Sequence, residues 1–171
     1  MDPYVQLARK TIELYVRQRE VPRPKVEELI PELWTKRAGA FVSIHKGGEL
    51  RGCIGTISAT QATLAEEIIR NAVSAATRDP RFPPISEDEL SGLEISVDVL
   101  GEAERIESEE ELDVKRYGVI VEKGYRRGLL LPDLEGVDTP AYQVQIAKWK
   151  AGIAEDEEDV RLYRFEVVRH E

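Results

Sequence analysis

One stretch of this sequence decides how the rest of the chain is organised: Leu50-Arg51-Gly52-Cys53-Ile54-Gly55. It contains the only cysteine of the 171 residues, with an arginine two positions before it and a glycine on either side. Gly47-Gly48 stands just ahead of it, between two strand-like runs at 40–45 and 50–57. Because a Gly-Gly pair readily adopts the positive backbone angles of a tight turn, the pattern predicts a β-hairpin that carries the hexapeptide.

A two-residue loop also predicts the register of this hairpin. The expected pairs are Lys46 with Glu49, His45 with Leu50, Ile44 with Arg51 and Val42 with Cys53. Side chains two apart share one face of a strand, so Arg51 and Cys53 project together, whereas His45 projects from the opposite face. A one-residue bulge would reverse the side of His45. A Cys-His pair is therefore disfavoured but stays open.

The hexapeptide offers a candidate reactive group. A guanidinium beside a thiol favours the thiolate, so Cys53 is a candidate nucleophile and Arg51 a candidate partner that lowers its pKa and binds an anion. Gly52 and Gly55 would let a ligand approach the backbone closely, which makes them candidate ligand-binding positions. The alternative is structural, with Cys53 as a small buried residue and Arg51 as a surface ion-pair partner.

A second stretch, Arg78-Asp79-Pro80-Arg81-Phe82-Pro83-Pro84, follows a predicted long helix. Its prolines stiffen the loop, so its charged side chains are held in place at a low entropic cost. Asp79 is a candidate general base, or the group that orients Arg51, and Arg81 is a candidate anion-binding residue. The alternative is a helix terminator whose charges only tie down the loop.

The amino-acid composition argues against several classes of function, among them nucleic-acid binding, zinc binding and membrane insertion. A formal net charge of −9 argues against a dedicated nucleic-acid binder. Two histidines and one cysteine cannot form a zinc site of the usual nitrogen and sulfur ligands without carboxylates, and we expect neither a metal nor a cofactor. The chain has no apolar run near 18 residues and no signal-peptide pattern, so we expect a cytoplasmic protein without a membrane span. Many Glu, Lys and Arg residues with one Asn, one Cys and one Met are typical of heat-stable proteins.

The remaining segments mix helices and strands without a βαβ rhythm, which predicts an α+β fold with a mostly antiparallel sheet. Helices are expected at 3–19 and 63–78, a strand at 93–99, a hairpin of 118–122 with 127–131, and a final strand at 160–169. A last helix begins at Thr139-Pro140, and its expected core stripe is Tyr142, Ile146, Trp149 and Ile153. The apolar run Leu129-Leu130-Leu131 predicts a central strand.

Five ordered motifs resemble the AMMECR-one domain family. They are the hexapeptide after Gly39-Ala40-Phe41-Val42-Ser43-Ile44, then Asp79-Pro80-Arg81-Phe82-Pro83-Pro84, Leu93-Glu94-Ile95-Ser96-Val97, Gly128-Leu129-Leu130-Leu131-Pro132 and Lys150-Ala151-Gly152-Ile153. The resemblance implies a single domain over 1–171 with a larger lobe that holds both termini, a smaller lobe and a cleft between them. It also implies an association with Memo-like and radical-SAM proteins, but it brings no established reaction.

Two functions follow as hypotheses. In the first, a cleft lined by Arg51, Cys53, Asp79 and Arg81 binds a small anionic ligand or a peptide segment. If that site is catalytic, Cys53 is nucleophile or acid/base, Arg51 clamps an anion and Asp79 is the orienting carboxylate. In the second, the chain is a non-catalytic protein-interaction module in which the hexapeptide is structural.

Overall fold

The computed structural model describes all residues from Met1 to Glu171. The chain folds as two compact units. Unit 1 comprises Met1–Leu100 and Val168–Glu171 and so holds both termini, and unit 2 comprises Gly101–Val167. No helix in either unit is both long enough and apolar enough to span a lipid bilayer.

Unit 1 combines helices with an antiparallel sheet. Its elements are helices α1 (Pro3–Gln18), α2 (Pro31–Thr35) and α3 (Leu64–Thr77) and strands β1 (Ala40–Lys46), β2 (Glu49–Gly55) and β3 (Leu93–Leu100). The helices begin where the sequence supplies caps. The side chain of Asp2 accepts hydrogen bonds at the start of α1, and that of Thr63 does so at the start of α3.

The predicted hairpin forms, but its register contains a bulge. Lys46 pairs with Glu49 and His45 with Leu50, as expected. The register then shifts by one residue at Arg51, so that Ile44 lies opposite Gly52, and Ser43 lies opposite Cys53. The predicted pairs of Ile44 with Arg51 and Val42 with Cys53 are therefore wrong, because a bulge places two residues of one strand opposite one of the other.

The core of unit 1 lies between the sheet and α3. Small residues on α3 let its backbone come close to the hairpin, and Ala72, Ala75 and Ala76 are all buried. On the hairpin side the buried residues are Ala40, Val42, Ile44 and Gly52, which share one face of the strands. The other face carries Phe41, Ser43, His45 and Cys53, which are only partly buried.

Unit 2 has a second antiparallel arrangement with one helix. Its elements are β4 (Glu104–Ile106), β5 (Tyr117–Lys123), β6 (Arg126–Leu130), α4 (Pro140–Ala151) and β7 (Arg161–His170), of which β7 continues into unit 1. β5 pairs with β6 and β7, and β4 pairs with β7. The α+β class with antiparallel strands is thus confirmed.

Two predictions for unit 2 are wrong in detail. β6 lies at an edge and is not central, and its apolar character is explained by α4 packing on it. The predicted core stripe of α4 is half correct: Ile153 is buried in the core of unit 2 and Ile146 packs against it, whereas Tyr142 and Trp149 are exposed. The buried residues within the helix are Gln143, Val144 and Ala147. Gln143 can be buried because its amide nitrogen donates to the carbonyl oxygen of Tyr117. A pattern that scores only apolar residues misses such a residue.

Candidate functional site

Arg51 ties the hairpin to the proline-rich loop. Its Nε and Nη2 donate to the two carboxylate oxygens of Glu89 at 3.0 and 3.1 Å. Its Nη1 donates to the carbonyl oxygen of Pro83 at 2.8 Å, and Nη2 reaches that of Pro84 at 3.3 Å. The side chain is only 14% exposed, and its hydrogen bonds lower the pKa of Glu89 to about 2. The largely buried Arg51 side chain thus links β2 to Glu89 and to the proline-rich loop.

Cys53 shares its face of the sheet with Ser43. The thiol Sγ lies 3.2 Å from the Ser43 hydroxyl oxygen. Burial raises the pKa of the Cys53 thiol, and the Ser43 hydroxyl and the charge of Arg81 oppose that rise without cancelling it. Arg51 is not among the groups that shift this pKa. The thiol is therefore held in its neutral form more firmly than a free cysteine.

The bulge changes the placement of His45. Because His45 and Ser43 alternate on β1, His45 lies on the face that carries Cys53, and its predicted placement on the opposite face is wrong. The hydrogen-bond partner of the thiol is nevertheless Ser43. No Cys-His hydrogen bond is present.

Asp79 and Arg81 bind the outer edge of β2 at Cys53. A carboxylate oxygen of Asp79 accepts the Cys53 N–H at 3.0 Å, and Nη2 of Arg81 reaches the Cys53 carbonyl oxygen at 3.4 Å. This donor and acceptor pair replaces the bonds that a neighbouring strand would make. The structure therefore brings Asp79 to Cys53, as predicted, but through the main chain.

A bidentate ion pair joins Asp79 to Arg81. Nε and Nη2 of Arg81 donate to the two Asp79 oxygens at 3.0 and 2.8 Å, which holds the pKa of Asp79 well below its usual range. Asp79 does not orient Arg51, which pairs with Glu89 instead. The side chain of Asp79 is 2% exposed, whereas that of Arg81 is 57% exposed. A buried carboxylate thus fixes an exposed guanidinium.

The glycines of the hexapeptide are required by packing. A Cβ on Gly52 would lie 2.2 Å from the carbonyl oxygen of Ala75, and a Cβ on Gly55 would lie 2.2 Å from the ring of Phe41. Both positions therefore serve close contacts within unit 1, and contact with a ligand stays a prediction for each.

The sequence analysis did not identify several residues that lie in this region of the structure. Ser43 was missed because its place opposite Cys53 depends on the bulge, and Glu89 because it is distant from Arg51 in sequence. On β3, Asp98 is buried and accepts two hydrogen bonds from Arg169 at 2.8 and 3.1 Å. The sequence did contain one indication of Asp98, because it is a carboxylate within a strand of alternating apolar and polar residues. No three His, Cys, Asp or Glu side chains come together to hold a metal ion.

Comparison with known proteins identifies the family. A sequence model described as AMMECR1 matches residues 5–170. The chain belongs to the AMMECR1 family. This confirms the resemblance to the AMMECR-one domain that the five motifs indicated.

Similar proteins of this AMMECR1 family occur in bacteria and archaea. A Thermotoga maritima protein is 56% identical over 170 residues, which cover 98% of this chain and 97% of that protein. A Clostridium acetobutylicum protein is 47% identical, and the match covers 99% of this chain but 36% of that protein. The crystal structure of the uncharacterized protein PH0010 from Pyrococcus horikoshii superposes with a TM-score of 0.90 at 34% identity, covering 99% of this chain and 91% of that one.

The geometry limits what the AMMECR1 hexapeptide can do chemically. Its arginine is occupied by Glu89 and two carbonyl oxygens, and the main chain of its cysteine is occupied by Asp79 and Arg81. Beside the motif, the charged side chain of Arg81 is 57% exposed, and its two bonds to Asp79 reduce the side-chain entropy that it would lose on binding a ligand. Such a guanidinium suits recognition of a carboxylate or a phosphate.

Proposed function

We propose that this AMMECR1 domain is a binding domain that recognises an anionic group through Arg81. The group belongs to a small ligand or to a peptide segment of a partner protein. In this proposal the hexapeptide has a structural role. Arg51 and Cys53 hold the proline-rich loop against β2, and the loop presents Arg81 to solvent.

The pairing of Asp79 with Arg81 carries the proposal. A surface ion pair usually leaves both partners mobile and hydrated, so it contributes little to the stability of the protein. Here the carboxylate is buried and also bonded to the Cys53 amide, whereas the side chain of Arg81 remains more than half exposed. A cation fixed in this way is pre-organised for a ligand, because little side-chain entropy is lost when the ligand binds.

The rival proposal is catalysis centred on Cys53, in which Arg51 binds an anion and Asp79 is the orienting carboxylate. Three observations weigh against a thiolate nucleophile. Burial raises the pKa of the thiol, the hydrogen-bond partner of the thiol is a serine hydroxyl, and Arg51 forms an ion pair with Glu89. A reactive cysteine needs the opposite environment, which is electropositive and accessible. The association with Memo-like and radical-SAM proteins stays a prediction.

Titration with inorganic phosphate, followed in ¹H–¹⁵N spectra at constant ionic strength, tests the binding proposal. We expect saturable shifts of the backbone amides of Asp79, Arg81, Phe82 and Cys53, because these residues surround the Arg81 guanidinium. Arg81→Gln should weaken binding at least about tenfold, since it removes the positive charge and the Nη1 donor, which points away from the bonds to Asp79 and Cys53.

Arg70→Gln is the matched control, because Arg70 is an exposed arginine on α3 and lies outside this region. It should bind phosphate like the unmodified chain. If phosphate gives no saturable shift near Arg81, or if Arg81→Gln and Arg70→Gln behave alike, Arg81 is not an anion site.

A further inference from the structure

A cleft runs along α1 in unit 1. Its volume of about 1100 Å³ is slightly above the roughly 300 to 1,000 Å³ that is typical of small-molecule sites. α1 contributes Pro3, Leu7, Lys10 and Leu14, whose spacing of three or four residues puts them on one side of the helix. No residue of the hexapeptide or of the proline-rich loop lines the cleft, so it is separate from the site at Arg81.

The opposite wall of the cleft is the segment 19–30, which returns along the helix. Arg19 ends α1 with a φ of 59°, in the left-handed region, and so reverses the direction of the chain. Just beyond the segment, Glu32 accepts a hydrogen bond from the hydroxyl of Tyr4 in the first turn of α1. Because the segment is held near both ends of the helix, the cleft follows α1 over most of its 16 residues, a length of roughly 24 Å.

The cleft is apolar toward the start of α1. Leu7 is buried there, and Leu29 and Ile30, which are close in sequence to Glu32, are half-buried. Apolar walls of this kind favour an alkyl chain, which gains free energy when it leaves water. Glu28 also lines the cleft next to Leu29, so a second anionic group of a ligand would be repelled at this end.

Cationic side chains line the rest of the cleft. Arg19 and Arg23 lie toward the end of α1, and Lys10 lies midway along the helix. None of these three side chains forms a hydrogen bond or an ion pair within the chain, and the Arg19 guanidinium lies 5.5 Å from the centre of the Tyr15 ring. Glu20 is the one carboxylate that lines this part. Three cations therefore outnumber one carboxylate here, although the chain has a formal net charge of −9, and the local field favours an anion.

We propose that this cleft binds a fatty acid, with its carboxylate at the cations and its alkyl chain along the apolar end. The ligand has one anionic group and a long apolar chain, which matches the separation of charge and apolar surface along α1. A neutral lipid would leave the three cations without a partner. A small anion without an alkyl chain would leave the apolar walls exposed to water.

Titration of the full chain with sodium decanoate, kept below its micelle concentration, tests the proposal. We expect saturable heat in calorimetry and saturable shifts of amides at 6–14 and 19–30 in ¹H–¹⁵N spectra. Decanol and acetate are the matched probes, because each carries one half of the ligand. Both should bind at least about tenfold more weakly than decanoate, since decanol loses the charged hydrogen bonds and acetate the apolar contact.

Two charge-matched double variants test the role of the cations. Lys10→Gln with Arg23→Gln should weaken decanoate binding at least about tenfold, because both exposed cations line the cleft. Lys25→Gln with Arg70→Gln removes the same charge from exposed positions outside the cleft and should bind decanoate like the unmodified chain. Thermal melts of both variants show whether the fold is intact.

Val21→Ser tests the apolar contact in the same way. Val21 lines the cleft and is 41% exposed, so the substitution should leave the fold intact and weaken decanoate binding without changing that of acetate. An absence of saturable decanoate binding, equal binding of decanol and decanoate, or equal effects of the two double variants would overturn the proposal. Shifts confined to the surroundings of Arg81 would also overturn it, because the carboxylate would then occupy the separate site at Arg81.

Discussion

Gly52 is the residue at which the backbone of β2 comes closest to α3. An added methyl group would meet the Ala75 carbonyl oxygen at 2.2 Å, and this main-chain atom, in the last turn of a buried helix, cannot move aside easily. We therefore expect Gly52→Ala to lower the free energy of unfolding by about 2 kcal/mol, the usual cost of forcing a methyl group into a packed core. Chemical denaturation measures this difference.

Gly92→Ala is the control for that substitution. Gly92 has no heavy atom within 4 Å of an added Cβ, and it does not need a positive φ. The control should therefore be neutral or slightly stabilising. If Gly52→Ala is equally harmless, the close approach of α3 to the hexapeptide is not needed for stability.

At this scale the sequence predicted that four residues would lie close together, but it did not predict all of their bonding partners. Arg51, Cys53, Asp79 and Arg81 do lie in one region of unit 1, connected through main-chain and side-chain contacts. The pairing of Arg51 with Glu89 could not be predicted, because the two residues are 38 positions apart in the sequence. The pairing of Ser43 with Cys53 could not be predicted either, because it depends on a bulge of one residue. A one-residue shift of the register changes which side chains share a face of the sheet. The hydrophobic pattern of a half-exposed edge strand specifies that register only weakly.

The attachment of the proline-rich loop to the hairpin belongs to the scale of elements. Glu89 receives two bonds from Arg51 and one from Lys46, and it accepts the amide of Ser86 at the start of the turn before β3. The lowered pKa of Glu89, about 2, means that its ionised form is stabilised in the folded chain. Its contribution is fully present above the unfolded pKa and is lost as the pH falls through about 4.5 toward 2.

Glu89→Gln should therefore lower the free energy of unfolding by about 3 kcal/mol at neutral pH. The difference from the unmodified chain should shrink as the pH falls from about 5 to about 2, because the native carboxylate is then protonated as well. Denaturation at a series of pH values measures it. Glu87→Gln should change little, since Glu87 is 71% exposed and forms only a loose pair with Arg17. A pH-independent difference would mean that the ion pair is not what holds the loop.

The sequence predicted those helices and strands that are defined by local patterns. It predicted less well which side of an element is buried, because that depends on contacts with residues distant in sequence. The hairpin, α3 and β3 follow from turn chemistry, a capping residue and strict alternation. α4 was placed correctly along the chain, but its inner face was not, because Gln143 is buried through a bond to Tyr117 on another element. Because Gln143 faces the core, Tyr142 and Trp149 lie on the exposed side of α4.

At the scale of the whole molecule, each of the two units presents a distinct surface. Unit 1 holds the hexapeptide, the clamped loop and the exposed guanidinium of Arg81, and unit 2 holds the aromatic face of α4. The anion binding that we propose at Arg81 does not require an activated thiol. The central claim is therefore that Cys53 belongs to the structural framework of a binding domain.

Alkylation of the single thiol in the native chain, followed as a function of pH, tests this claim most directly. Because burial raises the thiol pKa, reactivity should rise only above the free-thiol value of about 8.5, and denaturant should return the midpoint to that value. Arg81→Gln should move the native midpoint further upward, since the charge of Arg81 favours the thiolate. A native midpoint well below about 8.5 that rises in Arg51→Ala would instead identify an arginine-activated nucleophile and contradict the account.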